Sequence, residues 1–115
     1  MISRLVRIAL LVAAGMSAIS GVRAADFINV LTGGTSGIYY PMGVALSQVY
    51  GKAIPDAKTA VQATKASAEN LNLLQAGRGE IAFTLGDALS DAWKGDAESG
   101  FATPLKKLRG LAGIY

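Results

Sequence analysis

The residues equipped for chemistry gather in three short stretches. The first is "LTGGTSGIYYP", Leu31 to Pro41, where Gly33, Gly34 and Gly37 alternate with the hydroxyls of Thr35 and Ser36 and lead into Tyr39 and Tyr40. The second runs from Thr64 to Ser67 and the third is Leu85-Gly86-Asp87. Glycines beside hydroxyls just ahead of a helix make an anion seat, because a helix start carries unpaired backbone N–H groups and the positive end of the dipole. The competing use of such a turn is structural, to pack a helix closely against a sheet. A nucleotide loop is excluded on charge: Gly-Lys-Ser/Thr is missing and no basic residue stands between Arg23 and Lys52. Neutral donors without a lysine suit a small anion such as a single carboxylate. Amides around Gly34 and Gly37, the hydroxyls of Thr35 and Ser36, and Tyr39 as an aromatic wall are the candidate contacts. Tyr39 and Tyr40 can equally be core residues.

Ser67 and Asp87 each have two readings. Both stand where a helix N-cap is wanted, and Ser67 is followed by Glu69 in the first turn, where the dipole favours an acid. Either can also face a ligand, Asp87 as the partner of an ammonium group. A serine nucleophile at Ser36 or Ser67 working with Asp87 is the enzyme alternative. It lacks a base, because the chain has no histidine and no lysine near the loop. With no cysteine either, disulfides, thiolate chemistry and iron–sulfur sites are excluded, and nothing in the sequence asks for a metal or a cofactor.

Composition divides the chain in two. Residues 1–24 read as a secretory signal peptide, with Arg4 and Arg7 at the start, an apolar run from Ile8 to Ala14, and Val22-Arg23-Ala24 at the expected cleavage site. The run is broken at Gly15 and Ser17, short of the ~20 residues that span a bilayer. This leader holds three of the eleven basic residues and none of the eight acidic ones, so the net charge of +3 belongs to it and the remainder is neutral. Nucleic acid, which asks for a basic face, is not expected as a partner. An exported, cysteine-free chain is expected in the periplasm.

The elements that must position the three stretches alternate. "FINVL", Phe27 to Leu31, reads as a strand. Met42, Ala45, Leu46, Val49 and Tyr50 recur at the spacing of one helix face, Pro41 sets the start near Gly37 to Tyr40, and Gly51 is placed as the C-terminal glycine. Lys58 to Thr64 is a second, weaker strand. A helix begins at Ser67, buries Leu71 and Leu74 and ends at Gly77 and Gly79; Glu80 to Leu85 is a third strand; Asp87 opens a third helix with Ala88, Leu89, Ala92 and Trp93. After a polar loop and at most a helical turn at Pro104 to Leu108, the run from Leu111 reads as a fourth strand in progress. This is the pattern of an α/β domain with a mostly parallel sheet flanked by helices and right-handed crossovers. In such a sheet ligands bind beyond the carboxyl ends of the strands, where the three stretches fall.

Taken together, "INVLTGGTSGIYYPMGVALSQVY", "ATKASAENLNLLQAGRGEIAFTLGDAL" and "LRGLAGIY" resemble the start of TAXI-type solute receptors, the binding proteins of one branch of tripartite ATP-independent (TRAP) transporters. The markers are Gly33-Gly34-Thr35 with Tyr39-Tyr40-Pro41, and Ser67-x-Glu69-Asn70-Leu71 with Leu74 and Gly77. The resemblance implies a periplasmic-binding-protein type II architecture, a small organic acid or amino acid ligand such as glutamate, glutamine or a dicarboxylate, a membrane permease as partner, a monomer, and no catalysis. It maps ligand contacts onto Thr35, Ser36, Gly37 and Tyr39, and onto Thr64 to Ser67. Where many relatives carry Gln-x-Asp, this chain has Leu85-Gly86-Asp87, which removes an amide and widens the range of expected ligands. It also implies that residues 25–115 are the N-terminal part of a first lobe whose second lobe is not encoded here. A non-functional truncated product is the alternative on that point.

Overall fold

The structure, a computed structural model, describes residues 25–114. The expected signal peptide lies outside those residues. Six elements follow one another: β1 (Phe27–Leu31), α1 (Tyr39–Ala53), β2 (Lys58–Gln62), α2 (Ser67–Gln75), β3 (Ile81–Ala82) and α3 (Gly86–Lys94). The strands form one parallel sheet in the order β2-β1-β3, with Val30 opposite both Val61 and Ile81. The expected α/β class with a parallel sheet between helices is therefore what the chain adopts.

β1 matches its sequence signal residue for residue, and its two inner positions, Val30 and Leu31, are fully buried. α1 begins at Tyr39, inside the expected window, with Pro41 in the first turn where its missing N–H costs nothing. Its buried face differs from the one the large apolar residues suggested. Gly43 and Ser47 are buried, whereas Ala45 and Val49 are exposed. A Cβ on Gly43 would overlap Thr32 Cγ2 and come within 3.4 Å of Val61, and one on Gly51 would lie 3.6 Å from Thr59. The contact ridge is thus Gly43, Ser47 and Gly51 at i, i+4 and i+8, and small residues there let the helix axis approach the sheet. Gly51 consequently lies inside the last turn and is not a terminator; the helix runs on to Ala53.

β2 stops at Gln62, short of Thr64, and β3 is reduced to two residues, although Glu80 N–H and Phe83 N–H still reach the carbonyls of Asn29 and Leu31 on either side of it. α2 closes as the glycines suggested: Gly77 has φ +71°, with Gly77 N–H on Leu74 O at 3.0 Å and Arg78 N–H on Leu73 O at 2.9 Å. That pair of bonds is the Schellman arrangement, which satisfies the carbonyls a helix end leaves over.

A second core forms between α2 and α3. Leu71 and Ala92 pack with Phe101, Leu105 and Leu108 from the segment after α3, flanked by Ala68, Leu74, Ala88 and Leu89. The run from Leu111 is not a strand. Leu111 and Ile114 are 77 % and 52 % exposed, and no ladder holds them. Strand-forming residues make a strand only when a neighbour supplies the hydrogen bonds, and β3, two residues long, offers this segment none.

Candidate ligand-binding site

With β1 in the middle of the sheet, the first crossover leads to one side and the second to the other. The strand order therefore reverses between β1 and β3, and the space beyond their carboxyl ends is the usual ligand position in an open α/β sheet. Three junctions border it: residues 32–38, 63–66 and 83–85.

The first junction is a tight turn. Gly37 N–H donates to Gly34 O at 2.9 Å, which leaves Thr35 and Ser36 exposed at the tip. The glycines work here by lacking a side chain, since none of Gly33, Gly34 and Gly37 has a positive φ. Gly33 is buried, with the place of its Cβ 3.5 Å from Ala66 Cβ and 3.7 Å from the Tyr39 ring, while nothing comes within 4 Å of a Cβ on Gly34. Tyr39 stacks on Phe83 with centroids 5.4 Å apart and planes 17° apart, so its ring joins the first junction to the third.

The second junction departs from the sequence reading. The N-cap of α2 is Ala66, not Ser67, and Ala66 holds φ +69° and ψ −141°. Such a conformation is rare for any residue but glycine and persists only where the surroundings impose it. Ser67, in the first turn, accepts instead from Leu85 N–H at 3.0 Å and so ties the second junction to the third. Glu69 and Thr64 hold the two residues ahead of the helix, and no side chain caps its first N–H groups. Glu69 Oε2 accepts from Lys65 N–H at 2.5 Å and Thr64 Oγ1 from Ala66 N–H at 3.0 Å. The N–H groups of Ser67, Ala68 and Glu69 meet no acceptor among the described residues.

Asp87 is likewise not a cap. Leu85 takes that position, and the exposed Asp87 carboxylate accepts from Ala88 N–H at 2.7 Å within the first turn of α3. Thr35, Ser36, Gly34, Gly37 and Tyr39 thus lie along one junction, Thr64 and Ser67 along the second, and Asp87 just past the third.

Sequence reading passed over the residue that holds these junctions in register. Asn70 is fully buried, and its side-chain amide donates to Thr32 O at 2.6 Å and to Phe83 O at 2.8 Å. Thr64 Oγ1 lies 2.6 Å from the Asn70 carbonyl oxygen. The available signal was an asparagine immediately before Leu71 on the side of α2 that faces the core. A cavity of about 550 Å³ lies elsewhere, between α3 and the segment after it, lined by Leu89, Trp93, Leu108 and Arg109 among others. It is open and mostly apolar, and it shares only Gly86 with the region of the strand exits. No group of three or more potential metal ligands occurs among the described residues.

The chain belongs to the NMT1-like family, whose model matches residues 30–115, about three quarters of the sequence and all three junctions. That family is related to the periplasmic binding proteins, and its members are binding proteins of the solute-receptor type, not enzymes. A small-molecule ligand is the partner that such a family implies.

Proposed function

We propose that this chain is a receptor of the TAXI type, exported to the periplasm, that captures a small carboxylate such as glutamate, glutamine or a dicarboxylate for a TRAP-type permease. The observation that carries this reading is the reversal of strand order between β1 and β3 in a chain of a solute-binding family, with neutral donors and no lysine or arginine in the first junction. The exposed hydroxyls of Thr35 and Ser36, the open space over Gly34, and the unengaged amides at the start of α2 would meet the carboxylate. Tyr39 would form a wall. Asp87, at the far rim, would receive an ammonium group where the ligand has one. These residues make one wall of a cleft, and in two-lobed receptors of this kind the opposite wall comes from a second lobe.

Calorimetric titration with L-glutamate, L-glutamine and succinate tests the reading. Binding of at least one should weaken tenfold or more in Thr35→Ala and Ser36→Ala. Affinity unchanged from the wild type in both variants would reduce the loop to packing. Export is tested separately: the protein recovered from the periplasm of an expressing cell should begin at Ala25, and a full-length cytoplasmic product would overturn that part.

A further inference from the structure

We infer that Asn70 is the positioning residue of the anion seat and that it acts through Thr64, whose side chain is a relay and not a ligand contact. The seat's occupant rests on the carboxylate reading above; the relay stands on geometry alone.

The direction of every bond in the relay is fixed by what its members can donate. The two groups 2.6 and 2.8 Å from Asn70 Nδ2 are the carbonyls of Thr32 and Phe83, which only accept. The amide must therefore present its NH2 to them, because the flipped amide would set oxygen against two oxygens. Its own oxygen then faces Thr64 Oγ1 at 2.6 Å and, being an acceptor, takes the hydroxyl proton. Thr64 Oγ1 also lies 3.0 Å from Thr32 O, but a hydroxyl has one proton and the nearer acceptor holds it. Thr64 keeps only lone pairs, and Ala66 N–H donates to one of them at 3.0 Å. That bond anchors Ala66 in its glycine-like conformation, which sets the direction of the peptide groups that open α2.

No buried side-chain polar atom among the described residues lacks a partner, so the network is complete as it stands. A fully satisfied buried network specifies one arrangement, and a partly satisfied one does not. With both of its roles taken inside the protein, the Thr64 hydroxyl has no proton left for a ligand. Its contribution is to aim the amides of Ser67 and Ala68.

Amide NMR of the protein with no ligand tests the relay. In the wild type the Asn70 side-chain NH2 should exchange slowly. Thr64→Val, nearly isosteric, should leave it slow while raising exchange at Ala66 N–H about tenfold and moving the Ser67 and Ala68 amides. Thr64→Ser should restore the wild-type pattern, which a purely space-filling role would not require. Asn70→Leu should reproduce the Thr64→Val effect at Ala66; if that variant does not fold, the valine and serine pair carries the test. Fast exchange at the Asn70 side chain in the wild type, or an unmoved Ala66 amide in Thr64→Val, would overturn the inference. Titration with succinate separates the two readings. If Thr64→Val moves Ala66 but succinate moves no amide of Ser67 to Glu69 in the wild type, the relay stands and the carboxylate reading falls. If succinate moves them and Thr64→Val binds it equally well, the positioning role falls.

Discussion

Tyr39 and Phe83 are stacked with nearly parallel rings across the sheet's reversal point, one at the start of α1 and the other just past β3. The pair joins two segments more than forty residues apart in sequence. Replacing Tyr39 with leucine keeps apolar area and removes the ring, and should cost about 0.5–1.5 kcal/mol in urea unfolding, the range for aromatic pairs beyond their burial. Tyr39→Phe should keep the stack. Equal loss in both variants would place the importance in the hydroxyl.

Gly43 marks the closest approach of α1 to the sheet. A methyl group there would overlap Thr32 Cγ2 and press on Val61 and Val30. Gly43→Ala should therefore destabilise by about 1–3 kcal/mol, as overpacking does, even though alanine is the better helix former. A raised melting temperature would show that the helix can shift away.

Gly34 makes the opposite case. It is exposed and open, with an ordinary backbone conformation, so Gly34→Ala should leave stability within about 0.5 kcal/mol. If the turn receives a carboxylate, the added methyl narrows the approach and should weaken succinate or glutamate binding several-fold. Unchanged binding would remove Gly34 from the site.

The segment after α3 divides into an anchored part and an exposed part. Phe101 is fully buried in the second core, and Phe101→Ala should cost about 3–5 kcal/mol by thermal or urea unfolding. Leu111→Ser, at 77 % exposure, should stay within about 0.5 kcal/mol. Similar losses in both would mean that Leu111 is buried in the folded protein.

Trp93 is the only tryptophan, and Lys106 Nζ sits 4.1 Å from its ring centre while donating to the Trp93 carbonyl at 2.6 Å. Lys106→Met should change the tryptophan emission and cost about 0.5–1 kcal/mol, the scale of an exposed cation–π contact. Emission identical to that of the wild type would place the ammonium group in solvent.

Much of this architecture was legible from residue order. β1, the start of α1, the Gly77 terminus of α2 and the parallel class follow from local chemistry: β-formers ended by glycines, a proline confined to a first turn, a glycine at a left-handed position. What failed did so where the deciding partner is remote in sequence. The face of α1 was assigned from its large apolar residues, but the sheet selects the small ones, and only Thr32, Thr59 and Val61 show why. Ser67 and Asp87 have the composition of caps, yet Ala66 and Leu85 hold those positions: Ser67 turns to Leu85 N–H, and α3 already begins at Gly86. Leu111 has strand chemistry and no strand beside it.

The candidate site was legible as a place and not as a mechanism. Glycines and hydroxyls lie near the strand exits, the usual ligand position in an open α/β sheet. That Thr64 faces inward, and that a buried asparagine ties the exits together, depends on carbonyl positions no spacing rule contains.

The strand order has a consequence for when this chain can become stable. β1 is synthesised first and lies in the centre, so neither of its edges is filled until β2 and β3, about thirty and fifty residues later, have emerged. A sheet built this way depends on late, long-range pairing, which slows folding. A nascent chain therefore keeps at least one edge of its most buried strand open until β3 has emerged. If the chain is exported as proposed, that delay would keep it threadable while it waits to cross a membrane.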